Sequence, residues 1–83
     1  MQMTETTRSS LAREYTLCSN AVAHYKKTLK EFERKYRITT ATFLKRFEAG
    51  AFGDEAELFD WYASAKLHSQ WQKTLSALRT AIQ

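Results

Sequence analysis

This sequence predicts an all-α fold, an antiparallel hairpin of two long helices with a short helix at the connecting tip. Three observations carry that expectation. Leu11, Tyr15, Cys18, Val22, Tyr25, Leu29, Phe32 and Tyr36 recur at spacings that alternate between four and three, a helical seam sustained over more than three heptads. A second seam, Trp61, Ser64, His68, Trp71, Leu75, Leu78 and Ile82, repeats the alternation toward the other end. The chain holds no Pro and only two Gly, and no stretch alternates with period two for long enough to make a strand.

Residues 1 to 8 are polar and Thr/Ser-rich. They read as a flexible tail ahead of one helical domain over 9–83. Ser9 or Ser10 suits the N-cap of the first helix. Running to Tyr36, that helix has about 27 residues and a length of roughly 40 Å. Thr39 is the cap candidate for the short helix, which carries Phe43, Leu44 and Phe47. Gly50 suits the left-handed position that ends many helices. After the connector Ala51-Phe52-Gly53, Asp54 reads as the N-cap of a last helix from Glu55 to Ala81. Glu55 and Glu57 then fall in its first turn, where acids meet the positive end of the helix dipole. Leu58, Tyr62 and Ala65 add a second apolar strip beside the seam. The two long helices match in length and are joined by a short segment, so folding back on each other is the economical packing.

A chain of 83 residues and 9.7 kDa buries little surface for its length, and small domains offset this with disulfides, metals or partners. Cys18 is the single cysteine, which excludes an internal disulfide and suits a reducing, cytoplasmic setting. A partner chain is therefore the expected stabiliser, as a homo-dimer or a hetero-oligomer. No apolar run exceeds three residues, so no membrane span is expected. The opening MQMTETTRSS lacks the apolar core of a signal peptide.

Catalytic chemistry finds little purchase. Cys18 and His24 are six residues apart and so fall on different faces of one helix, while His68 sits in a seam between Ser64 and Trp71. One Cys and two distant His supply no metal-ligand spacing, and no Gly-rich phosphate loop is present. No enzyme activity, metal or cofactor is expected.

Charge is distributed unevenly. From Lys26 to Arg46 eight basic residues face two acids, and from Glu48 to Asp60 there are five acids and no base. Lys26, Lys27, Lys30, Arg34, Lys35 and Arg37 are the candidates for a weak, non-specific nucleic-acid contact. The interleaved Tyr25, Phe32 and Tyr36 belong to the seam and are expected to face inward rather than to stack on bases. A helix-turn-helix reading of the short helix, the Gly-containing turn and the following helix fails on charge. Its recognition helix would open with Asp54, Glu55, Glu57 and Asp60, which phosphates repel.

Around the acidic turn, Phe52, Leu58, Phe59, Trp61 and Tyr62 crowd among the carboxylates. Capping and solvation account for Asp54, Glu55 and Glu57. The same set also makes an aromatic patch rimmed with acids, the make-up of a docking surface for a basic protein.

Between Phe32 and Trp61 the chain reads FERKY (Phe32 to Tyr36), Thr39-Thr40, Phe43, FEAG (Phe47 to Gly50), Gly53-Asp54, Glu57 and FDW (Phe59 to Trp61). This order resembles a pattern of small prokaryotic antitoxin-like proteins. The resemblance implies the neutralising partner of a two-gene toxin–antitoxin module, which occludes a small toxin encoded nearby and has no enzymatic site. Combined with the acidic turn, it implies an RNA-cleaving toxin held at the tip. Phe52, Phe59, Trp61 and Tyr62 would be anchors, with Asp54, Glu57 and Asp60 setting electrostatic register. The alternative is a self-associating helical interaction module.

Overall fold

A computed structural model describes residues 5–82, with only the backbone of Ile82. It is all-helical among the described residues: α1 spans Glu5–Tyr36, α2 Thr40–Glu48 and α3 Ala56–Ile82. No described helix is long and apolar enough to cross a membrane.

Helix α1 begins ahead of the expected caps. Glu5 already lies in the helix and supplies an acid to its first turn, so neither Ser9 nor Ser10 ends it. The predicted tail over residues 1–8 thus overlaps α1 at positions 5–8, and positions 1–4 lie outside the described residues. At the other end Arg37 adopts φ +58° and its N–H donates to the Glu33 carbonyl at 2.8 Å. This is the left-handed cap usually given to Gly. Holding it with a β-carbon costs on the order of 1 kcal/mol.

Helix α2 is capped as the sequence implies. The Thr39 hydroxyl accepts from the Thr42 N–H at 3.1 Å while Thr39 itself stays extended. At its end Gly50 takes φ +76°, the Gly50 N–H reaches the Phe47 carbonyl at 3.0 Å and the Ala51 N–H the Arg46 carbonyl at 2.9 Å. That pair of bonds is a Schellman motif.

Helix α3 starts one residue later than predicted. The Glu55 carbonyl accepts from the Leu58 and Phe59 amides at 3.0 and 3.4 Å, which puts Glu55 rather than Asp54 at the cap position. Leu58 and Trp61 are buried in the first two turns of α3, and Asp54 is left in the connector.

The long helices run antiparallel. Arg79 of α3 donates to the Tyr15 hydroxyl of α1 at 3.5 Å near the open end, and Lys35 meets Glu57 at 2.6 Å near the tip. The resulting body measures 52 × 21 × 18 Å. Every residue of the predicted α1 seam is buried or half-buried, as are Trp61 to Leu78 of the α3 seam. Burial is uneven along the length. Leu29, Phe43, Leu58, Trp61 and Ala65 form one cluster at the tip end, covered by Phe32, Tyr36, Ile38, Leu44, Phe47, Phe52 and Tyr62. The stem beyond contributes Cys18 and Leu75.

Candidate functional site

The tip is organised around Trp61, which is 0% exposed. Its ring stacks on Phe43 at 3.9 Å between centroids, and on Phe32 and Tyr36 at 5.4 Å each. The indole N–H donates to the Thr40 hydroxyl at 3.1 Å, which satisfies a donor that would otherwise be buried unpaired. Thr40 in turn donates its backbone N–H to Glu33 Oε2 at 2.7 Å. One threonine at the start of α2 thereby ties α1 to α3. The Glu33 carboxylate also meets the positive end of the α2 dipole.

Trp61 is therefore not a partner anchor. The aromatic density that marked it as a docking residue comes from three helices converging, and a side chain enclosed on all sides has no face left for a partner. Truncating it to Ala costs about 3–5 kcal/mol. That is a large part of the roughly 4–12 kcal/mol available to a chain this size. Phe52 is half-buried against Phe43 at 5.4 Å and Tyr62 stacks on Phe47 at 4.7 Å, so both contribute to the cover of the core.

What the tip leaves outward is narrower. Phe59 is 50% exposed and meets Phe47 edge-on at 5.2 Å. Asp54, Glu55 and Asp60 are exposed around it in sequence, with Glu55 one turn before Phe59 on the same side of α3. Glu57 differs from these three acids. Lys35 donates to it at 2.6 Å, and that bond, with a second from the Tyr36 hydroxyl, holds the Glu57 carboxyl below its ordinary range. The bond to Glu57 correspondingly raises the Lys35 ammonium. Tyr36 is raised by burial first and by Glu57 second. On the opposite edge Lys66 bonds Glu48 at 3.3 Å and lies 5.2 Å from the Tyr62 ring centroid, and the Glu48 bond raises it. Both ion pairs are exposed and each is of modest worth.

The predicted basic run is divided by this geometry. Lys35 is held by Glu57, away from the rest. Lys30, Arg34 and Arg37 line an open groove of about 660 Å³ with Glu33, Ile38 and Thr39. Lys26 lines the adjoining recess with Leu29, Lys30, Glu33, Thr40, His68 and Gln72. Lys27 is exposed on α1. His68 is packed as its seam position implies, and its buried Nε2 has no hydrogen-bond partner. Cys18 is buried in the stem. Among the described residues no three His, Cys, Asp or Glu side chains gather where they could hold a metal ion.

Sequence reasoning passed over Glu33, Thr40 and the left-handed Arg37. The signal for the first two lay in the FERKY and Thr-Thr elements, whose members reappear here as the α1–α2–α3 tie. Phe32, Tyr36, Phe43, Phe47, Gly50 and Trp61 are likewise explained by packing or turn geometry. Arg34, Ala49, Gly53, Asp54, Phe59 and Asp60 are among the members of that pattern left exposed, and of these Phe59 is the one large apolar side chain. No protein-family model, curated protein or solved structure matches the chain.

Proposed function

We propose that this chain is a binding module of the antitoxin kind, which neutralises a small RNA-cleaving toxin by covering it with the hairpin tip. The observation that carries this reading is Phe59, a large apolar ring left half exposed on a rigid aromatic core and flanked by exposed Asp54, Glu55 and Asp60. A rigid anchor loses little entropy on docking, and unpaired carboxylates around it complement the basic surface that an RNA-cleaving protein needs. The resemblance of the 32–61 stretch to antitoxin-like proteins supports the same reading. The anchor set narrows to Phe59, with Asp54 and Asp60 for register. Phe47 meets the Phe59 ring edge-on, and Phe52 and Tyr62 belong to the cover of the core.

Co-expression with the adjacent reading frame tests this. The neighbour alone should arrest growth, and this chain should restore growth and co-purify with it. Phe59→Ala should weaken the complex by about 2 kcal/mol, close to 30-fold in Kd, if the ring is a hot spot. A harmless neighbour, or full-strength binding by a folded Phe59→Ala variant, rejects the assignment.

A second reading, self-association along the stem, is favoured by Leu17, which is 61% exposed on α1. Sedimentation at two concentrations separates the two readings. A stem dimer has a mass that rises with concentration and falls back in Leu17→Asp.

A further inference from the structure

We propose that the groove between the end of α1 and the start of α2 binds the phosphate backbone of a nucleic-acid duplex, without reading its bases. Lys26, Lys30 and Arg34 stand at successive four-residue steps along α1, and Arg37 lines the same groove beyond them. At 1.5 Å per residue each four-residue step advances about 6 Å along one face. That is a ladder of cations on the scale of consecutive phosphates along one strand.

Four cations line this groove and its adjoining recess, whereas two openings along the stem carry one each, Arg13 and Lys73. Lys35 and Lys66 lie off it, and each has a carboxylate at 2.6 and 3.3 Å respectively. Among the described residues Lys26, Lys30, Arg34 and Arg37 have no ion pair. Glu33 is the one carboxylate lining the groove, and its Oε2 accepts from the Thr40 N–H. Four cations therefore face one acid already engaged by a helix terminus. The remaining titratable group is His68, at the far side of the recess.

The chemistry of the lining chooses among anionic partners. An acidic peptide with apolar anchors needs pockets walled by apolar side chains. Leu29 and Ile38 are the two here, one in each recess, and the remaining apolar surface is the stems of the charged and polar residues. A single strand needs rings on which to stack. Phe32 and Tyr36 instead stack on Trp61, no Phe, Tyr or Trp lines either recess, and the one imidazole there, His68, is half-buried with its Nε2 enclosed. What is left is cation-to-phosphate attraction, the sequence-independent part of duplex binding. Arg37 belongs to that set while holding a left-handed backbone that Gly would hold with less strain, a cost that a contact role would explain.

The proposal is independent of the toxin reading and is tested on the purified chain alone. A labelled 24-base-pair duplex of arbitrary sequence is titrated by fluorescence anisotropy at 50 and 200 mM salt. With three to four phosphates neutralised, affinity should fall roughly 40- to 150-fold between those two salts. The triple variant Lys30→Ala/Arg34→Ala/Arg37→Gly should flatten that dependence by about one unit of slope per cation removed. A charge-matched control, Arg8→Ala/Arg13→Ala/Lys73→Ala, should keep the wild-type slope. Helix content by circular dichroism confirms that both variants fold. The single variant Arg34→Ala, at an exposed helical position, supplies the same readout should the triple unfold. Equal losses in the two triples mean diffuse attraction and overturn the proposal. So does the absence of wild-type binding at 50 mM salt, tighter binding of the single strand than of the duplex, or displacement of the duplex by polyglutamate at equal charge.

Discussion

The indole N–H of Trp61 donates to the hydroxyl of Thr40 at 3.1 Å, and the Thr40 amide donates to Glu33, so one short segment holds both long helices at the tip. Thr40→Val keeps the shape and the amide bond but removes the acceptor. The buried indole N–H is then unpaired, at about 1–3 kcal/mol. Thr40→Ser should retain most of the stability. In a Trp61→Phe background, where no N–H exists, Thr40→Val should cost far less. Urea unfolding of the four proteins gives the coupling directly, and additive losses would show that the bond contributes nothing.

Gly50 and Arg37 pose the same backbone problem with opposite solutions. Gly50 has φ +76° and open space where a β-carbon would stand, so Gly50→Ala meets no clash and pays only the left-handed backbone term, about 1 kcal/mol. Arg37 has φ +58° with a β-carbon already present. Arg37→Gly should therefore stabilise the hairpin by up to about 1 kcal/mol, less the added freedom of Gly in the unfolded chain. Denaturant midpoints moving in opposite directions are the expected result. Destabilisation by Arg37→Gly would mean that its side chain makes a contact worth more than the strain.

The Lys35–Glu57–Tyr36 group makes stability depend on pH at both ends of the range. The Glu57 carboxyl is lowered by Lys35 and then Tyr36, so its contribution is present above its ordinary value and is lost as pH falls through the lowered one. Lys35 is raised by its bond to Glu57, and Tyr36 by burial and then Glu57. Their contributions are complete below their ordinary values and are lost as pH rises through the raised ones. The difference in Tm between wild type and Glu57→Gln should thus be flat through neutrality and shrink in strong acid and strong alkali. Because the pair is exposed, the plateau should be small and should fall further with added salt. A plateau indifferent to salt would mean that Glu57 acts by packing rather than by charge.

Much of this geometry is readable from periodicity and turn chemistry. The three–four spacing picks out which face of α1 and α3 is covered, Thr39 marks a cap and Gly50 a left-handed turn. Periodicity does not say what covers an apolar face, and this is why Trp61 reads equally well as a core residue and as an anchor. The choice depends on where α2 lies. That is set by the Thr40 bonds to Glu33 and Trp61, across seven and 21 positions. The basic run is legible as composition. Its division is not, because the partner that takes Lys35 out of it, Glu57, stands 22 positions away. By residue type Asp54 is the better N-cap, and nothing in the local sequence signals that Glu55 takes the position instead.

Uneven burial predicts uneven stability. The tip gathers a five-residue buried cluster under a coat of half-buried rings, whereas the stem holds Cys18 and Leu75 between two helices open to solvent on their outer faces. Local opening free energy follows buried apolar contact, so the stem should open below the global unfolding free energy while the tip opens only with it. Cys18 and Trp61 report on the two regions separately. At 1% exposure the Cys18 thiol reacts only when the stem opens, and the stacked indole of Trp61 responds when the tip is lost. Thiol labelling in rising urea should therefore accelerate at concentrations where amide exchange around Trp61 remains fully protected. If labelling and tip exchange share one free energy and one urea dependence, the hairpin opens as a single unit. The half-exposed stem seam would then be held by something other than the contacts between α1 and α3.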